Sequence, residues 1–229
     1  MELPWAHQDR AVAMIGRDER YELHLAASDS PRRAELEQFI SQRFATQYGA
    51  RIRHFMPCLF GLETTAGQVL GAVGLRCGNP EAMFLERYLD APVEQAIADR
   101  QSGAAPARNE IVEVGNLAAV SPGAARLLIV ALTDLLVALG FRWVTFTGTP
   151  TLLNSFQRLG LSPIALGLAD PQRMGEELAD WGSYYACTPM VMAGDIYGGH
   201  QRLLQLGAYP RLGHQALYAS EEMPHVACS

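Results

Sequence analysis

The stretch EIVEVGNLAAVSPGAARLLIVALTDLLVALGFRWVTFTGTP, residues 110–150, decides the fold. Residues 110–120 read as a strand, and Ser121-Pro122-Gly123 punctuates it. Residues 124–139 form a helical run that is apolar nearly all round, hence buried, and Gly140 closes it. Residues 142–147, with Trp143 and Val144, make the next strand. Two strands linked through a buried helix predict a parallel pair with a right-handed crossover.

The elements on either side fit the same plan. Downstream, residues 151–159 predict a helix stopped by Gly160, then a short strand near 164–166. Upstream, residues 55–64 and 68–77 are two apolar runs joined around Ala66-Gly67, an antiparallel hairpin. Before them, Tyr21, Leu23 and Leu25 alternate with Glu22, His24 and Ala26 as a half-buried strand. Ser30-Pro31 opens a helix carrying Leu36, Phe39, Ile40 and Phe44, and Gly49 ends it. Between hairpin and crossover, Leu85, Leu89, Val93 and Ile97 recur at helical spacing across Asp90-Ala91-Pro92. That pattern predicts a short helix, a stop, and a second helix restarting at Pro92 under an Asp90 cap. Residues 101–108 read as a loop, residues 1–20 as an irregular arm, and 170–229 as mixed and without repeats. The expected class is α+β, with a mixed central sheet flanked by helices.

Composition narrows the functions open to this fold. With 229 residues, 49% hydrophobic and 18% charged, the chain is long and apolar enough for a folded domain. Its 18 basic residues are all Arg, which excludes Schiff-base lysines and lysine-dependent phosphate loops. A net charge of −6 without a basic run argues against nucleic acid. No run spans a bilayer, and no signal peptide is evident. Cys58, Cys77, Cys187 and Cys228 lie too far apart for a zinc site, and the six His show no metal spacing. Reduced thiols in a cytoplasmic protein, without a metal, are expected.

Three groups of motifs carry resemblances. TPTLLNSFQRLGL (149–161) resembles the late helix of GCN5-related N-acetyltransferases (the GNAT fold), in which a polar residue opens the helix and Leu-Gly closes it. VLGAVGLR (69–76), Asn79-Pro80, Met83-Phe84 and EVGNLAAV (113–120) resemble the core of acyl-homoserine-lactone synthases and related N-acyl amino acid synthases. FLERYLD (84–90), EVGNLA (113–118) and WGSYY (181–185) resemble the bacterial thermostable hemolysin family over roughly residues 20–200. These likenesses imply a GNAT-like acyltransferase domain over 21–199, between an arm (1–20) and an extension (200–229). They also imply a thioester donor, either acyl-CoA or the phosphopantetheine of an acyl carrier protein, and a small-molecule amine acceptor.

Individual residues then receive roles. Glu113 stands alone in an apolar strand, where an unpaired carboxylate is costly; burial would raise its pKa and suit it to accept an ammonium proton. A structural ion pair with Arg76 is the alternative. Arg76, ending an apolar strand, fits a substrate carboxylate or an orienting role toward Glu113. Asn116 stands where the synthases carry Arg. Their acidic pair is missing over 42–49, so S-adenosylmethionine is not expected as acceptor. Strands splayed around 116–120 and 143–147 would grip the pantetheine arm, placing Asn116, Leu117, Ala118 and Thr149 at the donor. Ser121, Gly123 and Arg126 would bind its phosphate at a helix start. Glu86, Trp181, Tyr184 and Tyr185 would line the acceptor pocket. Phe156 replaces a Tyr that protonates the leaving thiolate in many acetyltransferases. A membrane-active protein, taken from the family name, and an inactive carrier-binding module are the rival readings.

Overall fold

A computed structural model of the chain describes residues 10–78, 82–101 and 103–218; Asn79-Pro80, Cys228 and the terminal segments lie outside them. In chain order run β1 (Ala11–Ile15), β2 (Tyr21–Ala26), α1 (Arg33–Tyr48), β3 (Cys58–Thr64) and β4 (Val69–Cys77). A 3-10 turn at Phe84–Tyr88 and α2 (Val93–Gln101) precede β5 (Ile111–Ala119), α3 (Pro122–Ala138) and β6 (Trp143–Gly148). Then follow α4 (Pro150–Arg158), β7 (Ile164–Leu168), 3-10 turns within 171–187, β8 (Met190–Asp195), α5 (Ile196–Gln205), α6 (Ala208–Arg211) and β9 (Gln215–Ala216).

These strands form one sheet in the order β7-β8-β6-β5-β4-β3-β2-β1-β9. Among the described residues only β5 and β6 pair in parallel; the other pairs are antiparallel. The crossover helix α3 starts on a Ser121 cap, whose Oγ accepts the Ala124 N–H, and packs on one face beside α4 and α5. Helices α1 and α2, the Phe84–Tyr88 turn and the 171–187 segment cover the other face. The sheet is thus buried on both sides through its centre, where Leu59, Phe60, Leu62, Val73, Leu75 and Val112 are fully covered.

The differences from the sequence reading have local causes. Residues 11–15, expected within an irregular arm, form β1, because Val12, Ala13 and Ile15 are all buried between neighbours. β2 is covered on both faces from Leu23 to Ala26, rather than half-buried. β8 arises inside the stretch read as mixed and inserts between β6 and β7. Asp90 does not cap α2: its carboxylate pairs with Arg173, while Glu86 Oε1 accepts the Val93 N–H. The residues after 200 return to the core, with β9 on β1 and α6 against α5.

Asp134 of α3 ties this return down. It accepts from His214 Nε2 at 2.9 Å and from the Tyr218 hydroxyl at 2.7 Å. Burial alone would raise its pKa, but these hydrogen bonds, with His214 and His200 nearby, hold the carboxyl below the usual range. Its contribution to stability is therefore present above the unfolded carboxylate pKa and is lost as pH falls through the lower folded value. Asp134→Asn is expected to cost about 1–3 kcal/mol. The readouts are a lower Tm and faster amide exchange over 208–218.

Candidate active site

The site begins with a break in the sheet. β5 and β6 pair from Ile111↔Trp143 to Val114↔Phe146, and β5 then continues to Ala119 paired with β4 but not with β6. On its other edge β5 carries a bulge, since Ala72 faces Ala118 and Gly74 faces Gly115, leaving Asn116 and Leu117 opposite one residue. Asn116 takes the left-handed conformation (φ 52°) that such an extra residue demands. Its side chain holds the bulge in place: Oδ1 accepts the Met56 N–H at 2.8 Å and Nδ2 donates to the His54 carbonyl at 3.3 Å. The bulge also shifts the alternation. Glu113 and Gly115 face α1, and beyond the extra residue Ala118 does so, in one apolar cluster with Leu36, Ile40 and Phe44.

A cavity of about 770 Å³ occupies the resulting gap and is lined from both faces of the sheet. On the α1 side it meets Glu113, Arg76 and an aromatic wall including Phe44, Tyr48, Phe84, Trp181 and Tyr184. On the α3 side it meets an apolar stretch of Ile129, Leu132, Leu136, Val144, Phe146 and Phe156, bordered by Thr133, Ser155, Asp195 and Arg202. Phe156 stacks on Phe146, with ring centroids 4.9 Å apart. β5 main-chain groups beyond Val114 that face the gap have no partner in β6, so a threaded ligand can take them as hydrogen-bond partners.

Glu113 is 2% exposed and forms part of the wall of this cavity. Both its oxygens accept main-chain N–H groups, Oε2 from Phe84 and Oε1 from Leu85, each at 2.9 Å. Arg76 is its cross-strand neighbour, with Nη1 at 3.8 Å from Oε2. Burial pushes the Glu113 carboxyl above its ordinary range, against the lowering effect of the two N–H donors and Arg76. The carboxylate therefore combines a structural duty, holding the Phe84–Tyr88 turn, with a raised proton affinity facing the cavity.

Of the residues singled out from sequence, the cavity brings together Glu113, Arg76, Asn116, Leu117, Ala118, Ser121, Thr149, Trp181 and Tyr184. Four others lie outside its lining. Glu86 binds Arg108 at 2.5 Å and accepts N–H groups from Met83 and Val93, so its carboxylate is committed to the fold. Tyr185 shares a 2.5 Å hydrogen bond with Tyr88. Gly123 and Arg126 are not among the lining residues; of the three expected at the start of α3, Ser121 lines the cavity, and its Oγ caps the helix. Asn116 spends both ends of its amide on residues 54–56, leaving its expected donor contact to the main chain of the bulge. The expected grip by 143–147 also shrinks, since 143–146 are still paired to β5 and β6 is free of it only from Thr147.

Sequence reasoning missed the part of the aromatic wall that α1 supplies. Tyr48 lies one turn after Phe44, a spacing that was legible, and its hydroxyl accepts from the Gln47 side-chain amide at 2.9 Å. Residues 171–187 strap across the end of α1: Arg51 N–H donates to the Asp180 carbonyl at 2.6 Å and Ser183 N–H to the Tyr48 carbonyl at 2.8 Å. Arg53 pairs with Asp180 at 2.5 Å. Burial raises the Cys58 thiol and pushes Cys77 up to about 11, so neither of these two is poised as a nucleophile.

The model of one protein family, thermostable hemolysin, matches residues 26–200. The chain belongs to the thermostable hemolysin family. This hemolysin-family chain matches no curated protein. Its fold is GNAT-like and is shared with solved structures. It is similar to FeeM, an N-acyl amino acid synthase from uncultured soil microbes, at 12% identity and a TM-score of 0.59, covering 83% of this chain and 98% of that one. It is similar as well to BjaI, a CoA-dependent acyl-homoserine lactone synthase solved with SAM and isopentyl-CoA, at 16% identity, TM-score 0.54 and coverage of 88% and 90%. The acyl-homoserine-lactone synthase LasI aligns at 10% identity and TM-score 0.54, covering 78% and 91%. At such identities the likeness is one of fold.

Proposed function

We propose that this hemolysin-family chain is an N-acyltransferase that moves a fatty acyl group from a thioester to the amine of an amino acid or amine metabolite. The observation that carries this reading is the cavity passing through the gap between β5 and β6 with Glu113 in its wall. The donor is acyl-CoA or an acyl carrier protein, its pantetheine arm threaded along the unpaired edge of β5. The acceptor lies on the α1 side, against the aromatic wall and Arg76.

In the reaction the acceptor nitrogen attacks the thioester carbonyl carbon, forming the C–N bond as the C–S bond breaks. Glu113 takes the ammonium proton, directly or through water, and the thiolate leaves. Phe156 cannot protonate it. Main-chain N–H groups at the bulge steady the carbonyl oxygen, and holding both reactants in one cavity supplies the remaining acceleration. FeeM and BjaI, named for acyl transfer, share the fold and make the reading coherent.

The apolar stretch of α3 in the cavity wall suits a donor with a long chain. Ala125, Ile129, Leu132 and Leu136 form one stripe of α3 along the lining, about 16 Å at 1.5 Å per residue. Each buried methylene is worth about 0.8 kcal/mol, so blocking several of them is a large perturbation. Leu132→Trp is therefore expected to lower kcat/KM for long-chain donors by on the order of a hundredfold while sparing short-chain ones. Equal losses for both lengths would place the chain elsewhere.

The direct test incubates purified protein with long-chain acyl-CoA and a panel of amino acids and amines, reading free thiol and amide product. Thiol release matched by amide is expected. Donor binding without turnover across the panel would favour an inactive binding module. Lysis of liposomes without any donor would favour a membrane-active protein, although among the described residues no helix is long and apolar enough to cross a membrane.

A further inference from the structure

Arg43, Arg51, Arg53, Arg76 and Arg202 line the cavity, and one of these guanidinium groups has a buried N–H without an acceptor. It belongs to Arg43 of α1, whose Nε is buried with no hydrogen-bond partner among the described residues. The other arginines near the site differ. Arg76 faces Glu113, Arg53 is paired with Asp180, and Arg51 and Arg202 are exposed to water. A buried guanidinium N–H without an acceptor is unfavourable, and it is relieved when a ligand brings oxygens to it.

Its position within α1 says which part of a ligand that is. Ile40 and Phe44 face the sheet in the cluster that includes Ala118, so this turn of α1 crosses the part of β5 that has already left β6. Arg43 sits between them in sequence and is rotated off the sheet-facing stripe. One turn further on, Tyr48 lines the cavity, as does Thr149 just beyond β6. Arg43 thus borders the open end of the gap, near the ends of both diverging strands, whereas Glu113 lies where they still pair. A pantetheine arm whose thioester reaches Glu113 carries its phosphate toward that open end. At the start of α3, Ser121, Pro122 and Ala125 line the cavity, and Arg126 does not.

We propose that Arg43 is the anchor for the phosphate of the phosphopantetheine donor, reaching it from α1 rather than from the start of α3. This rests on the acyl-transfer reading and assigns a residue to the donor side of that same cavity. The phosphate oxygens accept from the guanidinium, a charge-assisted contact that discriminates strongly between a phosphate and a hydroxyl.

The test compares equilibrium binding of decanoyl-phosphopantetheine and decanoyl-pantetheine, which differ only in the phosphate, read by tryptophan fluorescence. The wild type is expected to bind the phosphorylated probe roughly tenfold or more tightly. Arg43→Gln and Arg43→Ala are expected to bind both alike, with the affinity for decanoyl-pantetheine unchanged, and Arg126→Ala to behave as wild type. That unchanged affinity also shows that the variants are folded. Wild type that does not distinguish the probes, Arg43 variants that still do, or loss of discrimination in Arg126→Ala would overturn the assignment and leave the donor reading standing. Wild type that binds neither probe would overturn the donor reading itself. If the Arg43 variants instead lose affinity only for amino acids carrying a carboxylate, the anion held there is the acceptor's and the phosphate assignment is wrong.

Discussion

Glu113→Gln is expected to lower kcat by roughly 10²–10⁴-fold, the range for a lost general base, with donor binding little changed. Gln keeps the shape of the side chain and cannot accept the ammonium proton. One of its ends is an NH₂ set against a main-chain N–H of Phe84 or Leu85, where wild type places oxygen on both. That mismatch costs about 1–3 kcal/mol. It is partly offset at neutral pH, because burial raises the Glu113 pKa in the folded state. A carboxyl raised in this way favours folding fully below its unfolded pKa, and the advantage is lost as pH rises through the folded value. The variant should therefore fold, with a modest change in Tm. In wild type, activity needs the ionised form, so the acidic limb of kcat/KM should have its midpoint above the ordinary glutamate value of 4.5. A midpoint at or below that value would separate the activity from this carboxylate.

Gly182→Ala should be the most disruptive change in the strap over the acceptor side. Gly182 has φ 51° and ψ −125°, a conformation that side chains rarely adopt. A Cβ there would also collide with the Tyr48 carbonyl oxygen and the Gly49 backbone. Neither obstacle is a flexible side-chain end, so the strap itself must move. We expect a loss of about 2–4 kcal/mol, set by backbone strain together with steric overlap. Because Trp181 and Tyr184 ride on the strap and line the cavity, the acceptor KM should rise while donor binding persists. The change can be followed by Tm, near-ultraviolet circular dichroism of the aromatic cluster, and KM for each substrate. Wild-type values in all three would contradict the close packing of Gly182 on α1.

How much of this was written in the chain depends on the range of the interactions. The crossover from β5 through α3 to β6 was legible because the period, the Ser121 cap and Gly140 all act locally. Glu113 was legible because a carboxylate in an apolar strand is conspicuous. β8 was not, since Met190–Asp195 owes its strand to partners on two distant strands, β6 and β7. The bulge at Asn116 was hidden for a similar reason: its left-handed conformation is secured by Met56 and His54, some sixty residues away. Glu86 looked available because its partner Arg108 lies across a loop. Arg126 looked like a phosphate ligand because it occupies the first turn of a helix, while the cavity lies on another side of that turn.

Mass spectrometry of lipid extracts from cells producing wild type or Glu113→Gln tests the central claim most directly. An N-acylated amine or amino acid that appears with wild type and is absent with the variant, at equal amounts of folded protein, is the predicted result. The same acylated product at the same level in both extracts would contradict it.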